Sequence, residues 1–211
     1  MIDSDELYCG YKLSFENAKR MIADATNLKK NGSMAGAYIL FHIALEEIGK
    51  CQILYFAIYD FYNGVIIDNK YLNAHDFKIH PSKIRASYSS ILRLLILMNE
   101  SGQLDNDLSR FSGKIDEDSL NNDKNSSLYV GVENNKFVSP AESINQQKLD
   151  KIEDLALLAY SSIIEILDLD RMEKIAGEWK RLNDDPSAIM EKKYQEAAAF
   201  LGITIQNDNE H

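Results

Sequence analysis

Residues 33–63, SMAGAYILFHIALEEIGKCQILYFAIYDFYN, constrain this chain more than any other stretch. From Met34 to Leu45 the segment is apolar at nearly every position apart from His42. A helix that is hydrophobic on all sides is normally buried on all sides. The acids Glu46 and Glu47 follow, with Lys50 one turn later. Charged groups are seldom buried without partners. A central helix of this kind therefore demands a bundle around it, and that bundle must supply groups to answer its charges. The apolar run ends at the glutamates, well short of the roughly 18 residues needed for a membrane span.

The rest of the chain reads as helices that could wrap this one. Ser14 is a candidate cap for a helix over 15–30, with Ala18, Met21, Ile22, Ala25 and Leu28 at helical spacing. Asn31-Gly32 ends it, and so short a break forces an antiparallel pair with the central helix. Pro81 suits the first turn of a third helix, which carries Ile84, Tyr88, Ile91, Leu92, Leu95 and Met98 on one face. Residues 103–127 are polar and read as a long surface loop with one helical turn. Leu128 to Val132 and Lys136 to Val138 give the one good hairpin signal. Ser139-Pro140-Ala141-Glu142 combines a cap, an N1 proline and a capping-box acid. It opens a fourth long helix through Leu149, Ile152, Leu155, Ala156, Ala159, Ile163 and Ile166. Asp185-Pro186 restarts the chain into a last helix over 187–201. The expectation is one all-α domain over 1–211. Its core bundle covers 14–170 with a hairpin at 128–138, a C-terminal helical extension covers 171–202, and 1–12 and 203–211 are mobile ends.

Composition narrows the function. With 23 basic and 33 acidic residues the net charge is −10, which disfavours broad nucleic-acid binding without excluding a local basic site. The two cysteines, Cys9 and Cys51, form no C-x-x-C pair and no Cys/His metal spacing. That usage, and an acidic start without a signal-peptide core, fit a cytoplasmic protein. His42-x-x-x-Glu46 is the wrong order for a di-metal bundle, which needs Glu-x-x-His. Neither a metal nor a cofactor is expected.

Three segments carry a family likeness. Ala44-Leu45-Glu46-Glu47-Ile48-Gly49-Lys50 closes the apolar half of the central helix. His75-Asp76-Phe77-Lys78 has the spacing H-x-x-K. Lys124 to Val130 places a basic residue ahead of Leu128-Tyr129-Val130, with Ser139-Pro140 beyond. In order and spacing the chain resembles the AbiV-type abortive-infection proteins of bacteria, over about residues 14–170. The resemblance implies a HEPN-like helical bundle with one small hairpin between the third and fourth long helices. It implies homodimerisation, a phage-encoded protein as trigger, and RNA as substrate in an arrest of translation. HEPN ribonucleases usually carry an arginine followed a few residues later by a histidine. None of Arg20, Arg85, Arg93, Arg110, Arg171 or Arg181 has a histidine at that spacing. Either the nuclease function is absent or other residues replace the pair.

Two readings of the charged residues follow. In the first, Glu47, Lys50, His75 and Lys78 converge on one pocket. His75 there acts as a general base, while the lysines hold a phosphate and the charge developing on it. Lys124 adds a phosphate contact and Tyr129 stacks on a base. In the second, Glu47 and Lys50 form a structural ion pair, Tyr129 packs on the bundle, and the chain is a non-catalytic interaction module. His80, before Pro81, reads as a turn residue, and Trp179 with Tyr194 as core or dimer contact.

Overall fold

The computed structural model describes residues 1–101 and 116–166. The expected C-terminal helix, the Trp179–Tyr194 contact and most of the 103–127 loop lie outside the described residues. Helix α1 (Ser4–Lys30) and helix α2 (Met34–Tyr62) form an antiparallel hairpin across Asn31-Gly32, with Gly32 at φ 78°. Tyr8 Oη sits 3.3 Å from Tyr62 Oη, and the Cys51 thiol approaches the Tyr11 carbonyl. The N-terminal expectation is corrected here. Helix α1 begins at Ser4, where Asp3 caps it by accepting from the Glu6 amide, so 1–12 is no mobile arm. Leu7 and Tyr11 are buried, on the same stripe as Ser14, Ala18 and Ala25. That stripe, not the charged first turn, decides where the helix starts.

After α2 the chain runs back along it. Short helix α3 (Asn69–Ala74), which has no counterpart in the sequence reading, is capped by Asp68. Tyr71 bonds Asp60, and Phe77 lies under the Lys50 ammonium. This return delivers the start of helix α4 (His80–Glu100) to the middle of α2. Helix α4 then runs parallel to α2, touching it first at Gly49 through Lys83 and further along at Phe56 through Arg93. Its inner face is as expected: Ile84, Tyr88, Ile91, Leu92 and Leu95 are all buried.

The polar stretch holds a real helix, α5 (Glu117–Leu128), capped by Asp116. It carries almost no apolar stripe, since only Leu120 and Ser127 are buried on it. Strands β1 (Gly131–Glu133) and β2 (Lys136–Val138) pair antiparallel, with Val132 opposite Phe137. Helix α6 (Pro140–Ser143) carries the anticipated capping box but stops after one turn at Ile144. Helix α7 (Gln146–Ile166) is the fourth long helix, buried through Leu149, Ile152, Leu155, Ala156, Ala159 and Ile163. It packs antiparallel to α1, with Phe15 stacked on Tyr160 at 5.3 Å and Lys29 paired to Asp150 and Glu153. A buried Ser90–Ser162 contact of 2.7 Å joins α4 to α7. The architecture is all-α with one two-stranded hairpin, and α2 lies at its centre. No described helix is long and apolar enough to cross a membrane.

Candidate functional site

Glu46 is the residue around which charge gathers. It faces the same side of α2 as His42, one turn earlier, and Gly49, one turn later. Its side chain is almost fully buried. Oε2 accepts from His80 Nδ1 at 2.6 Å and pairs with Lys83 Nζ at 3.0 Å. Oε1 faces Lys124 Nζ at 3.5 Å and His42 Nε2 at 3.4 Å. Three elements meet on one carboxylate: the middle of α2, the first turn of α4 and the last turns of α5.

The local sequence explains each arrival. Gly49 has no side chain, so the Lys83 backbone can press against α2 and aim Lys83 at Glu46. The first turn of α4 is fixed by Ser82 Oγ donating to Asp76 at 2.8 Å, and Asp76 itself sits at φ 57°. Helix α5 is held by Leu120 in the core and by Arg85 gripping Glu117 at 3.0 and 3.1 Å. Lys148 on Asp123 at 2.9 Å pins it from α7. These contacts set the height of Lys124.

Electrostatics follow from burial. Loss of water by itself would raise the Glu46 carboxyl, but contacts with His42, Lys83 and His80 outweigh it and hold the group well below the usual carboxylate range. Glu46 is therefore an anion. Burial pushes His42 down, and the contact with Glu46 opposes that shift without reversing it. No hydrogen bond reaches either His42 ring nitrogen, because the approach to Glu46 is off the bonding direction. His42 is thus a neutral imidazole beneath the cluster. One carboxylate faces two ammonium groups, Lys83 and Lys124, leaving positive charge in surplus. Two ammoniums on Glu46 oppose a cation there, and among the described residues no group of His, Cys, Asp and Glu is disposed to hold a metal ion.

His80 is the part of this cluster that meets solvent, with 58% of its side chain exposed. A carboxylate can only accept, so Nδ1 carries the proton that His80 donates to Glu46, and Nε2 is the ring nitrogen left to face a ligand. An imidazole oriented by a buried carboxylate, with lysines alongside, can take a proton and have the resulting charge stabilised.

The residues singled out from sequence fall into separate places. Glu47 and Lys50 pair at 2.7 Å on the flank of α2, with Lys50 5.9 Å above the Phe77 ring. His75 is exposed, stacked on Tyr71 and bonded to its carbonyl at 2.9 Å. Lys78 is exposed. Among the described residues neither His75 nor Lys78 bonds Glu47 or Lys50, so the four are not drawn into one charged cluster. Lys124 does enter the Glu46 cluster, while Tyr129 caps α5 with its ring in solvent. His80 is not the turn residue it resembles but the first residue of α4, seated on Glu46. The signal for it was present: H-x-x-K occurs twice, at His75/Lys78 and again at His80/Lys83. The geometry places the second on Glu46.

Comparison with known families matches residues 6–160 to the AbiV model, a HEPN-type family. This chain belongs to the AbiV family. The match covers well over half the chain and includes every residue of the Glu46 cluster. Its name marks a HEPN-type abortive-infection protein, in accord with the bundle and its single hairpin. No curated protein and no solved structure matches the chain.

Proposed function

We propose that this AbiV-family protein is an abortive-infection effector that cleaves RNA without a metal and so arrests translation in the bacterial cytoplasm. The observation that carries the reading is the solvent-facing His80, oriented by buried Glu46 beside Lys83 and Lys124. In this reading the 2′-hydroxyl of RNA gives its proton to His80 Nε2 and its oxygen attacks the adjacent phosphorus. The lysines stabilise charge on the phosphoryl oxygens. The bond to the 5′-oxygen breaks, and the imidazolium returns the proton to that oxygen. The products are a 2′,3′-cyclic phosphate and a 5′-hydroxyl. Homodimerisation and release by a phage-encoded protein belong to the same proposal.

The test sets the two H-x-x-K segments against each other. Purified protein, with and without extract of phage-infected cells, is placed on total tRNA and ribosomes in EDTA. His80→Ala is expected to abolish cleavage that leaves cyclic-phosphate ends, and His75→Ala to retain it. The reverse pattern moves the site to the Glu47, Lys50, His75 and Lys78 set. The net charge of −10 and the missing pair favour a second reading, a non-catalytic module that binds a phage or host protein. Absence of cleavage under every condition, with a stable complex recovered from infected extract, would establish it.

A further inference from the structure

The β1–β2 hairpin exposes what a folded chain usually hides. Val132 and Phe137 are cross-strand partners and therefore share one face, yet they are 64% and 82% exposed. Val130 and Tyr129, just before β1, are 64% and 66% exposed. The hairpin is well specified nonetheless. Asn134 and Asn135 both adopt positive φ, at 50° and 62°, the pattern of a tight turn whose twist matches the strands. A short two-stranded hairpin gains little stability by itself, and contiguous exposed apolar surface commonly marks a binding site.

We propose that this face is a base-stacking platform continuous with the Glu46 cluster, so that the RNA it takes is unpaired and single-stranded. The proposal rests on the RNA reading above and names its substrate class. Helix α5 joins the two parts directly. Lys124 sits on Glu46, and Tyr129 leaves the same helix five residues later, about 7.5 Å along the axis. That separation is within reach of a phosphate and a neighbouring base. Tyr129 is extended (φ −123°, ψ 147°), which turns the chain out of the helix and into the hairpin, and its ring is 66% exposed. Charge is complementary at one end, where Lys83 and Lys124 are in surplus over Glu46, while Lys136 on the hairpin is matched by Glu133 across the strands. Stacking also resolves the chain's acidity. Aromatic faces bind bases regardless of sequence and need few cations. A duplex keeps its bases stacked on one another, so it cannot offer them to such a face.

Full-length protein is titrated onto labelled RNA with 2′-O-methyl sugars, which cannot be cleaved through the 2′-oxygen. The RNA is single-stranded, single-stranded with abasic positions, or a blunt duplex. Single strands are expected to bind best. Phe137→Ala and Tyr129→Ala should each weaken that binding roughly tenfold, the scale of one lost base stack. Tyr129→Phe should retain it, and abasic RNA should erase the difference between variants. Thermal midpoints should nearly match, since the Phe137 and Tyr129 side chains are 82% and 66% exposed. Single-strand binding unchanged in both alanine variants overturns the platform while leaving the RNA reading intact. So does a shift from dimer to monomer in light scattering without a change in RNA affinity, which makes the face an interface between copies. Base-dependent binding in a protein that never cleaves supports the platform and removes only the nuclease step. No binding to any RNA removes both.

Discussion

Gly49 and the Lys83 backbone are in such close contact that a Cβ on Gly49 would stand 1.9 Å from the Lys83 carbonyl oxygen. The obstacle is main chain, so no side-chain rotation relieves it. Gly49→Ala must drive α2 and α4 apart just where Lys83 reaches Glu46. Overpacking of this kind costs about 1–3 kcal/mol, and more where backbone has to shift. Urea midpoints should show that loss. Gly10→Ala serves as contrast. Its added Cβ meets only the Leu54 side chain, at 3.4 Å, and alanine is the better helix former by about 0.5–1 kcal/mol. That variant should equal or exceed the parent.

Glu46→Gln removes the anion that Lys83, Lys124, His80 and His42 share. Lys83, which is buried, and Lys124, which is nearly so, would then lose their shared counter-charge. Breaking a buried pair from one side costs about 3–5 kcal/mol, and equilibrium denaturation should show a loss of that order. Lys83→Met should cost less, because Lys124 and His80 still answer the carboxylate. In the double variant the two losses should fall short of their sum, since one interaction cannot be lost twice.

The first three turns of α1 make a separate prediction. Leu7 is 1% exposed, in the same core as Tyr11 and Ile67, and the Ile2 amide donates to the Ile67 carbonyl at 2.7 Å. Leu7→Ala should cost about 2–5 kcal/mol. A mobile arm would tolerate the change without loss, so a thermal midpoint equal to the parent's would remove these turns from the core.

These outcomes bear on what could be read without coordinates. Helix α2 was legible because 29 largely apolar residues between Ser33 and Asn63 permit little else. Helices α4 and α7 were legible because their apolar residues recur at helical spacing. Helix α5 was not, because only Leu120 and Ser127 turn inward and its hold is polar, through Arg85–Glu117 and Lys148–Asp123. At the site, the need of Glu46 for partners was visible but their identity was ambiguous. His75/Lys78 and His80/Lys83 have identical spacing five residues apart. What separates them is the return of the chain through α3 and the missing Cβ of Gly49, and both are tertiary facts. Lys124 was found from its likeness to a family segment, not from any periodicity.

His42 gives the pH dependence of the fold a definite sign. Its ordinary value is 6.5, and burial lowers it in the folded state. The unfolded chain therefore binds a proton at a pH where the folded chain does not. Stability is lost as pH falls below about 6.5, at up to ~1.4 kcal/mol per pH unit, until the folded-state value is reached. Glu46 behaves differently, because its folded value lies below the ordinary 4.5. Its contribution is complete above that pH and is lost only in stronger acid, so the two groups act in separate windows. Between pH 7 and 5 the parent should lose stability, and His42→Phe should flatten the slope by about one proton. Filling the space beneath Glu46 with an apolar ring changes the absolute stability, so the slope is the quantity to compare. Urea denaturation at half-unit steps of pH would measure it, and identical slopes in parent and variant would mean that His42 is not held neutral.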